Sequence, residues 1–276
     1  MFIDSQKPLP LQLYQLGTDK LTCHCALPSQ RLSPFIYYYW WLDVADGETL
    51  LDVIPDNATD LVMSPSIDEF SIVYLPTSEK FSIQLTGPIS YVGVSFRTEH
   101  MPMFFGMDLS LIKSLVPGEH TTKSLAIQTL VSEIQNLQHY NELANKLDLL
   151  LTDRLARSPN EPSTIKTAIK RLDISNVLTA MQASVGEAGV KAIASHFGLS
   201  DRQFRRIMQS LFGFGPKKIQ RIMRLQASLR ALLNPDTLAG DDGFYDDAHR
   251  IKEIRTLTGL TPGQIRHMAE IYNSLS

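Results

Sequence analysis

The sequence predicts an α+β protein of two domains: a β-rich N-terminal domain, built as a sandwich or barrel with flanking helices, and an all-α C-terminal domain. Residues from about 20 to 100 form short apolar or alternating runs between Pro, Gly, Asp and Asn, a texture typical of strands and turns. From about 101 onward, apolar residues recur at helical spacing. The segment SPNEPS at 158–163 suits neither a long helix nor a long strand, so it marks the boundary.

The predicted strands are six short runs: LTCHCAL, FIYYYWWLDV, DLVMS, FSIVYL, KFSIQL and SYVGVSF. In the first run, Cys23 and Cys25 are too close together for a normal disulfide. With His24 between them they suggest either a soft-metal site or a strand with two small apolar side chains on one face. The sequence has no second ligand cluster and its histidines are scattered, so we expect the strand and no metal.

The aromatic run IYYYWW offers a candidate ligand pocket. Strand alternation predicts Tyr37, Tyr39 and Trp41 on one face, with Tyr38 and Trp40 on the other. One face either lines a small-molecule pocket or packs in the core, and core packing is the more common arrangement. Three polar residues are candidates for the same pocket or for ordinary turns: Asp56, Asp60 and Arg97.

Helical periodicity predicts a longer helical stretch over 123–157. Its apolar positions are Leu125, Leu130, Ile134, Leu137, Leu143, Leu147 and Leu150. No apolar run reaches the roughly 18 residues that cross a bilayer, and the N-terminus lacks the features of a signal peptide. We therefore expect a soluble cytoplasmic protein.

The charge is divided unevenly between the two halves. Residues 1–162 carry 10 Lys and Arg against 19 Asp and Glu, whereas residues 163–276 carry 16 against 10. Within 190–224 there are eight basic residues and one acid, Asp201. This asymmetry indicates that the C-terminal half meets a polyanion. No GxSxG, HExxH, Walker-type or GxGxxG string occurs, so we predict neither an enzyme nor a cofactor.

The stretch HFGLSDRQFRRIMQSLFGFGP predicts two short helices joined by a tight turn. The upstream helix has apolar residues at i, i+3, i+4 and i+7, and Gly198 suits the left-handed residue after its end. Ser200 and Gln203 form the S-x-x-Q capping box of the next helix. The predicted buried stripe of that helix consists of Phe204, Ile207, Met208 and Leu211.

At about 100° per residue, Arg202, Arg206 and Gln209 point away from this stripe and Arg205 lies at its flank. In a helix-turn-helix, the second helix enters the major groove and contacts base edges with its N-terminal residues, so a basic outer face at that end suits this role. An ordinary solvated helix is the alternative. The reading as a DNA-binding helix gains support from the basic helix that begins at Pro216, and from the partial repeat of the pattern in GFYDDAHRIKEIRTLTGLTP.

The segment KAIASHFGLSDRQFRRIMQSLFGFGPKKIQRIMRLQASLRALL, followed by GFYDDAHRIKEIRTLTGLTPGQIR, resembles the DNA-binding domain of AraC/XylS-type transcription regulators. The resemblance covers about 185–267 and implies two helix-turn-helix units joined by a linker helix. LSPFIYYYWWLDV, VIPDNATDLVM and LTGPISYVGVSF are similar to a cupin-like sensor domain that precedes this module. The expected layout is a sensor or dimerisation domain at 1–157, a linker at 158–163 and a DNA-binding domain at 164–276, containing a first unit at about 189–213, a linker helix at about 216–233 and a second unit at about 237–259.

The resemblance implies that the residues after the capping serine read bases; here they are Arg202, Arg205 and Arg206. The planar fork of arginine can donate two hydrogen bonds to guanine, for about 1 to 3 kcal/mol of discrimination each. Further base-reading candidates in the second unit are His249 and Lys252. The candidates for phosphate contacts are Lys191, Gln209, Lys217, Lys218, Arg221 and Arg255.

The second unit departs from the family pattern. Gly240, Asp241 and Asp242 weaken its first helix, and Arg250 stands where a large apolar residue normally anchors the second recognition helix. Asp246 and Asp247 are expected to cap that helix, but their charge lies close to where phosphates would be. We expect the first unit to dominate sequence reading and the second mainly to position the protein.

The function that follows is a one-component bacterial transcription regulator. Its implied partners are double-stranded DNA, with RNA polymerase, a small-molecule effector and a second copy of the chain as candidates. The acids of the second unit leave one alternative open, an adaptor that keeps the fold but has lost DNA binding. The sequence names neither the operator nor the effector, and it leaves activation and repression undecided.

Overall fold

The computed structural model describes residues 10–105, 125–135, 137, 139–157, 173–183, 187–233 and 247–275. The predicted linker at 158–163 and the segment PDTLAGDDGF lie outside them. The α+β class is confirmed, because within the described residues every strand precedes residue 100 and every element after residue 173 is a helix. The strands are β1 (Leu21–Ala26), β2 (Ile36–Val53), β3 (Ala58–Met63), β4 (Ser71–Tyr74) and β5 (Phe81–Arg97), and a short 3₁₀ helix at Leu13–Leu16 precedes them.

The strands form one antiparallel sheet in the order β1-β2-β5-β3-β4. The two long strands β2 and β5 pair along almost their whole length and make the centre of the sheet. The runs KFSIQL and SYVGVSF, which the sequence suggests as separate strands, both belong to β5. Gly93 on β5 faces Trp40 on β2 so closely that a Cβ at this position would overlap the indole ring.

Two irregularities bend the pairing of β2 with β5. One lies between Asp46 and Gly47, which both face Gly87, and the other between Ile36 and Tyr38. An extra residue in one strand bends that strand and increases its twist. Leu51 of β2 and Leu85 of β5 lie beyond the irregularity at Asp46 and Gly47, yet they pack in the same apolar cluster as Trp40. The C-terminal end of β2 and the N-terminal end of β5 therefore fold over the face of the sheet that carries Trp40.

The opposite face packs against helices. These are α1 (Met101–Phe105), α2 (Leu125–Ile134) and α3 (Tyr140–Arg157). Four of the predicted apolar positions are buried there: Leu130, Ile134, Leu143 and Leu147. The expected long helical stretch is two helices, and Leu125 is 78% exposed. It lies about half a turn away from the centre of the buried stripe of α2, which explains its exposure.

Cys23 and Cys25 lie on strand β1, in the strand that the sequence predicts. Cys23 is buried and Cys25 partly buried, and both pack in the cluster around Trp40. A hydrogen bond with the Cys23 thiol, together with burial, raises the pKa of Cys25 well above its usual value.

The C-terminal half consists of helices α4 (Ile174–Ala183), α5 (Glu187–His196), α6 (Asp201–Phe212), α7 (Pro216–Leu233), α8 (Asp247–Thr258) and α9 (Pro262–Leu275). Helix α7 connects two cores. Ile219 and Ile222 in its first half pack with α4, α5 and α6, whereas Leu225 and Leu229 in its second half pack with α8 and α9. None of the helices within the described ranges is both long enough and apolar enough to cross a membrane.

The N-terminal half docks on the second of these cores. The segment around the 3₁₀ helix contributes Leu11, Leu13 and Leu16 to the cluster that contains Leu229. Buried Gln226 of α7 accepts a hydrogen bond from Leu11 N at 2.6 Å, and its Nε2 donates to Leu11 O at 3.1 Å and to Pro55 O at 2.9 Å. Apolar packing and hydrogen bonds therefore join the two halves.

Candidate nucleic-acid interface

Helices α5 and α6 form a helix-turn-helix unit around one apolar core. Val190 and Ile193 of α5 pack against Phe204 and Met208 of α6. Gly198 ends the first helix with φ 69°, and this left-handed conformation lets the chain turn sharply into the second helix. The predicted stripe of α6 is confirmed, since all four of its residues are buried.

Capping groups at both ends hold α6 in place. The N–H of Gln203 donates to Ser200 Oγ at 3.3 Å, and the N–H of Ser200 donates to Gln203 Oε1 at 3.0 Å, which is a complete capping box. At the other end Gly213 has φ 82°, and its N–H donates to Gln209 O at 3.1 Å. The side-chain amide of Gln209 donates to Gly213 O, so this candidate phosphate contact also closes the end of the helix.

The arginines of α6 lie on the face away from the core. Arg202, Arg205 and Arg206 are all exposed. Arg205 Nε contacts Asp201 Oδ2 at 2.8 Å, one helical turn away, whereas Arg202 and Arg206 form no ion pair within the described part of the chain. Two guanidinium groups therefore point into solvent from a helix that packing and caps hold rigid, and such groups can bind guanine edges or phosphates.

The candidates for phosphate contacts lie around this helix. Lys191 of α5, and Lys217 and Lys218 at the start of α7, are exposed. Lys218 Nζ lies 3.2 Å from Ser78 Oγ of the N-terminal half. Arg221 differs from the others, because its guanidinium forms a bidentate pair with Glu253 of α8, at 2.5 Å from Nε to Oε1 and 2.8 Å from Nη2 to Oε2.

Helix α8 repeats α6 with an offset of 46 positions. Gly259 closes α8 with φ 79°, as Gly213 closes α6, and Pro262 opens α9 as Pro216 opens α7. The second recognition helix has a smaller apolar face, consisting of Ile254, Leu257 and Thr258.

Charged residues replace two of the core positions in this repeat. Arg250 and Glu253 stand where α6 buries Phe204 and Ile207. Arg250 Nη2 contacts Asp247 Oδ1 at 2.6 Å, and Glu253 forms the pair with Arg221. Hydrogen bonds from Arg221 hold the pKa of Glu253 below its usual value. The outer face of α8 presents His249, Ile251, Lys252 and Arg255, all exposed.

Two features of helices α8 and α9 were not identified from the sequence. The pair between Arg221 and Glu253 joins residues 32 positions apart, and no local pattern reveals it. The capping box of α9 was readable, because Thr261 and Gln264 have the same spacing as Ser200 and Gln203; the N–H of Gln264 donates to Thr261 Oγ1 at 3.3 Å.

Comparison with known proteins identifies the type of domain in the helical half. Residues 193–268 match the family model described as a helix-turn-helix domain. The C-terminal domain is a helix-turn-helix domain of the AraC type. Residues 24–116, which precede the AraC-type domain, match a domain of unknown function, DUF6597. No curated protein resembles the chain closely enough to count as a match.

Solved structures of ToxT from Vibrio cholerae also resemble the chain. One at 1.65 Å resolution is 11% identical, with a TM-score of 0.44 over 91% of this chain and 99% of ToxT. A second, from strain O395 and bound to (E)-4-(8-methylnaphthalen-1-yl)but-3-enoic acid, is 10% identical, with a TM-score of 0.43 over 91% of this chain and 100% of ToxT.

The candidate pocket residues of the N-terminal half divide into two groups. Tyr39 and Trp41 are buried beneath the helices, where Tyr39 Oη donates to Asp148 Oδ1 at 3.0 Å and Trp41 Nε1 donates to Asp43 Oδ1 at 2.6 Å. The alternation prediction was wrong for Tyr37, which packs on the other face with Tyr38 and Trp40. The irregularity between Ile36 and Tyr38 adds a residue to β2 and so moves Tyr37 to the other side of the sheet.

Asp56 is buried and Asp60 is partly buried, and Asp60 lies close enough to Cys25 to influence its pKa. Asp56 Oδ2 accepts from Gln12 Nε2 at 2.7 Å and its Oδ1 accepts from Ala58 N at 3.0 Å, whereas Asp60 Oδ1 accepts from Trp40 Nε1 at 3.1 Å. Burial raises the pKa of Asp56 to about 6 and that of Asp60 to about 7. Neither lines the cavity between the sheet and the AraC-type domain, while Tyr37 and Arg97 do.

Proposed function

We propose that the chain is a sequence-specific DNA-binding transcription regulator whose first recognition helix, α6, reads bases in the major groove. The observation that carries the proposal is the arrangement of α6 within a helix-turn-helix domain. Its apolar stripe is buried, and Arg202 and Arg206 extend into solvent from the N-terminal turns. In proteins with this motif, the N-terminal residues of the recognition helix contact the base edges.

The other basic residues take supporting roles in this proposal. Lys191, Lys217 and Lys218 contact phosphates, which adds affinity and salt dependence but no sequence information. Arg205 forms an ion pair with Asp201 in the free protein. On binding to DNA, its guanidinium contacts a base or a phosphate instead. Gln209 caps its own helix and meets the backbone from there.

The second unit mainly positions the protein on DNA. Lys252 and His249 are its candidates for base contacts, and Arg255 is its candidate for a phosphate contact. Its acids argue for this lesser role, since Asp247 and Glu253 pair with Arg250 and Arg221 and so lower the positive charge of this face.

The N-terminal half senses a small molecule or mediates dimerisation in this proposal. Its docking on the core of α7, α8 and α9 supports a regulatory role, because a change in this contact reaches the helices that carry the second unit. RNA polymerase is a candidate partner of the DNA-bound form. The proposal carries with it a cytoplasmic location, because bacterial DNA lies there.

Selection of bound sequences from a randomised duplex pool tests the proposal. We expect one enriched motif, and a dissociation constant for random duplex that rises steeply with salt. An adaptor without DNA binding would enrich no motif and would bind random duplex weakly at every salt concentration. That result would reject the regulator.

A further inference from the structure

Helix α8 exposes an apolar patch on the side where α6 carries its arginines. With the offset of 46 positions between the two helices, Ile251 stands where α6 has Arg205, and its side chain is 45% exposed. Ala248, which is also exposed, stands where α6 has Arg202. A single exposed apolar side chain is ordinary on a protein surface, so the position of these two residues is what matters. They replace two of the three arginines that are the base-reading candidates of the first unit.

The patch lies in an open groove beside basic side chains. The residues that line this groove recur at helical spacing along the outer face of α8: Ala248, Ile251, Lys252, Arg255 and Thr256. Lys252 and Arg255 are exposed, and neither forms an ion pair within the described residues. In duplex DNA, phosphates flank the base edges of the major groove, so basic residues beside an apolar patch match this arrangement.

The two acids of α8 are both paired with arginines. Asp247 Oδ1 accepts a hydrogen bond from Arg250 Nη2 at 2.6 Å, and Glu253 accepts two from Arg221 in the bidentate pair described above. These pairs offset the negative charge of the helix. The groove can therefore approach phosphates with its two unpaired basic residues.

We propose that Ile251 and Ala248 read a thymine, by packing against its C5-methyl group in the major groove while Arg255 contacts a flanking phosphate. The C5-methyl group is the apolar feature that distinguishes thymine in this groove, whereas the other bases present mainly hydrogen-bond donors and acceptors. Apolar side chains at these positions therefore favour thymine. The inference rests on the proposed function and names specificity-determining residues in the second unit.

This contact adds a small sequence preference to a unit that mainly positions the protein. Burial of one methyl group corresponds to about a fourfold change in the dissociation constant. A bidentate contact between arginine and guanine discriminates more strongly, so the first unit still dominates sequence reading. The segment that the second unit contacts should contain a preferred thymine.

Replacement of thymine by uracil tests the contact, because uracil forms the same base pair and lacks only the methyl group. Every thymine of the selected duplex is replaced in turn, and fluorescence anisotropy gives the dissociation constant of the full chain. We expect at least one replacement to weaken binding about fourfold. If no replacement weakens binding, the proposal is overturned.

Variants connect the methyl group with Ile251. Ile251→Ala should bind the thymine duplex and the sensitive uracil duplex almost equally, because the side chain that covers the methyl group is shortened. Ile251→Val, which stays apolar and branched, should keep most of the discrimination. The control Leu125→Ala removes the same number of carbon atoms from an exposed residue of α2 and should discriminate like the wild type.

Thermal unfolding shows which variants are folded, and Ile251→Gln replaces Ile251→Ala if that variant is not. If the folded variant discriminates between the two duplexes as strongly as the wild type, Ile251 does not contact the methyl group and the proposal is overturned. Unchanged binding of every duplex would assign the patch to another partner, such as a protein, and would overturn it as well.

The same measurements separate this proposal from the regulator. A wild type that enriches one motif but binds thymine and uracil duplexes alike keeps the regulator and removes the thymine contact. Absence of DNA binding in the wild type removes both.

Discussion

At the scale of single residues, Arg206 has the clearest expected role. Its side chain is exposed, forms no ion pair in the described part of the chain and extends from the second turn of a capped helix. Arg206→Gln should weaken the free energy of binding to the selected duplex by about 1 to 3 kcal/mol and relax the preference at one base pair. Quantitative binding to duplexes with single base changes measures both effects.

Lys252 is the matched residue of the second unit, because it stands 46 positions after Arg206. Lys252→Ala should weaken binding to all sequences to a similar degree. If Lys252→Ala relaxes base preference more than Arg206→Ala does, the assignment of sequence reading to the first unit is wrong. Arg157→Gln controls for general loss of positive charge.

Asp60 makes stability depend on pH. Burial raises its pKa to about 7, so the folded state holds a proton that the unfolded chain releases near pH 3.8. Between these values the folded state binds more protons, and the free energy of unfolding therefore falls as pH rises. Asp60→Asn should flatten this decline. Urea unfolding of both proteins at pH 5, 6, 7 and 8 measures the difference; equal slopes would show that Asp60 titrates normally.

At the scale of elements, the capping box of α6 predicts a stability effect. Ser200→Ala removes the acceptor for the N–H of Gln203, so the free energy of unfolding should fall by about 1 kcal/mol. Ser195→Ala, on the exposed face of α5, is the control and should leave stability nearly unchanged. Chemical denaturation of the three proteins checks this, and an equal effect of the two changes would argue against the cap.

Local patterns predicted the elements that local physics determines. The stripe from Phe204 to Leu211 and the cap at Ser200 follow from spacing along one helix, and the structure contains both. Tyr37 did not follow the alternation, because the extra residue in β2 depends on pairing with β5. The pair between Arg221 and Glu253 depends on how α7 and α8 pack, which spacing does not encode. The roles of the arginines in base reading stay predictions.

At the scale of the whole molecule, the docking of the two halves decides how the protein unfolds. Gln226 satisfies three backbone groups of the N-terminal half, in contacts that span 215 and 171 positions and that the sequence did not reveal. Both tryptophans lie in the sheet, whereas most of the helices that the structure describes lie in the other half. Tryptophan fluorescence and helical circular dichroism therefore report on different halves.

The two signals should change together in the wild type, as they do in a cooperative transition. Gln226→Ala leaves these buried groups without partners, at a cost of about 1 to 3 kcal/mol, and the helical signal should then change first. Gln84→Ala, an exposed glutamine of β5, should behave like the wild type. Separate transitions already in the wild type would contradict the cooperative docking.

Helix α7 packs against one helix-turn-helix unit with its first half and against the other with its second half, and it has 18 residues. That corresponds to a rod of about 27 Å, a little less than one turn of duplex, about 34 Å. Because α7 is one continuous helix, we expect target sites of the proposed regulator to keep a single phasing between the segments that the two units contact. If half a turn of duplex were inserted between the two segments, one segment would lie on the opposite face of the DNA, where the second unit could not contact it.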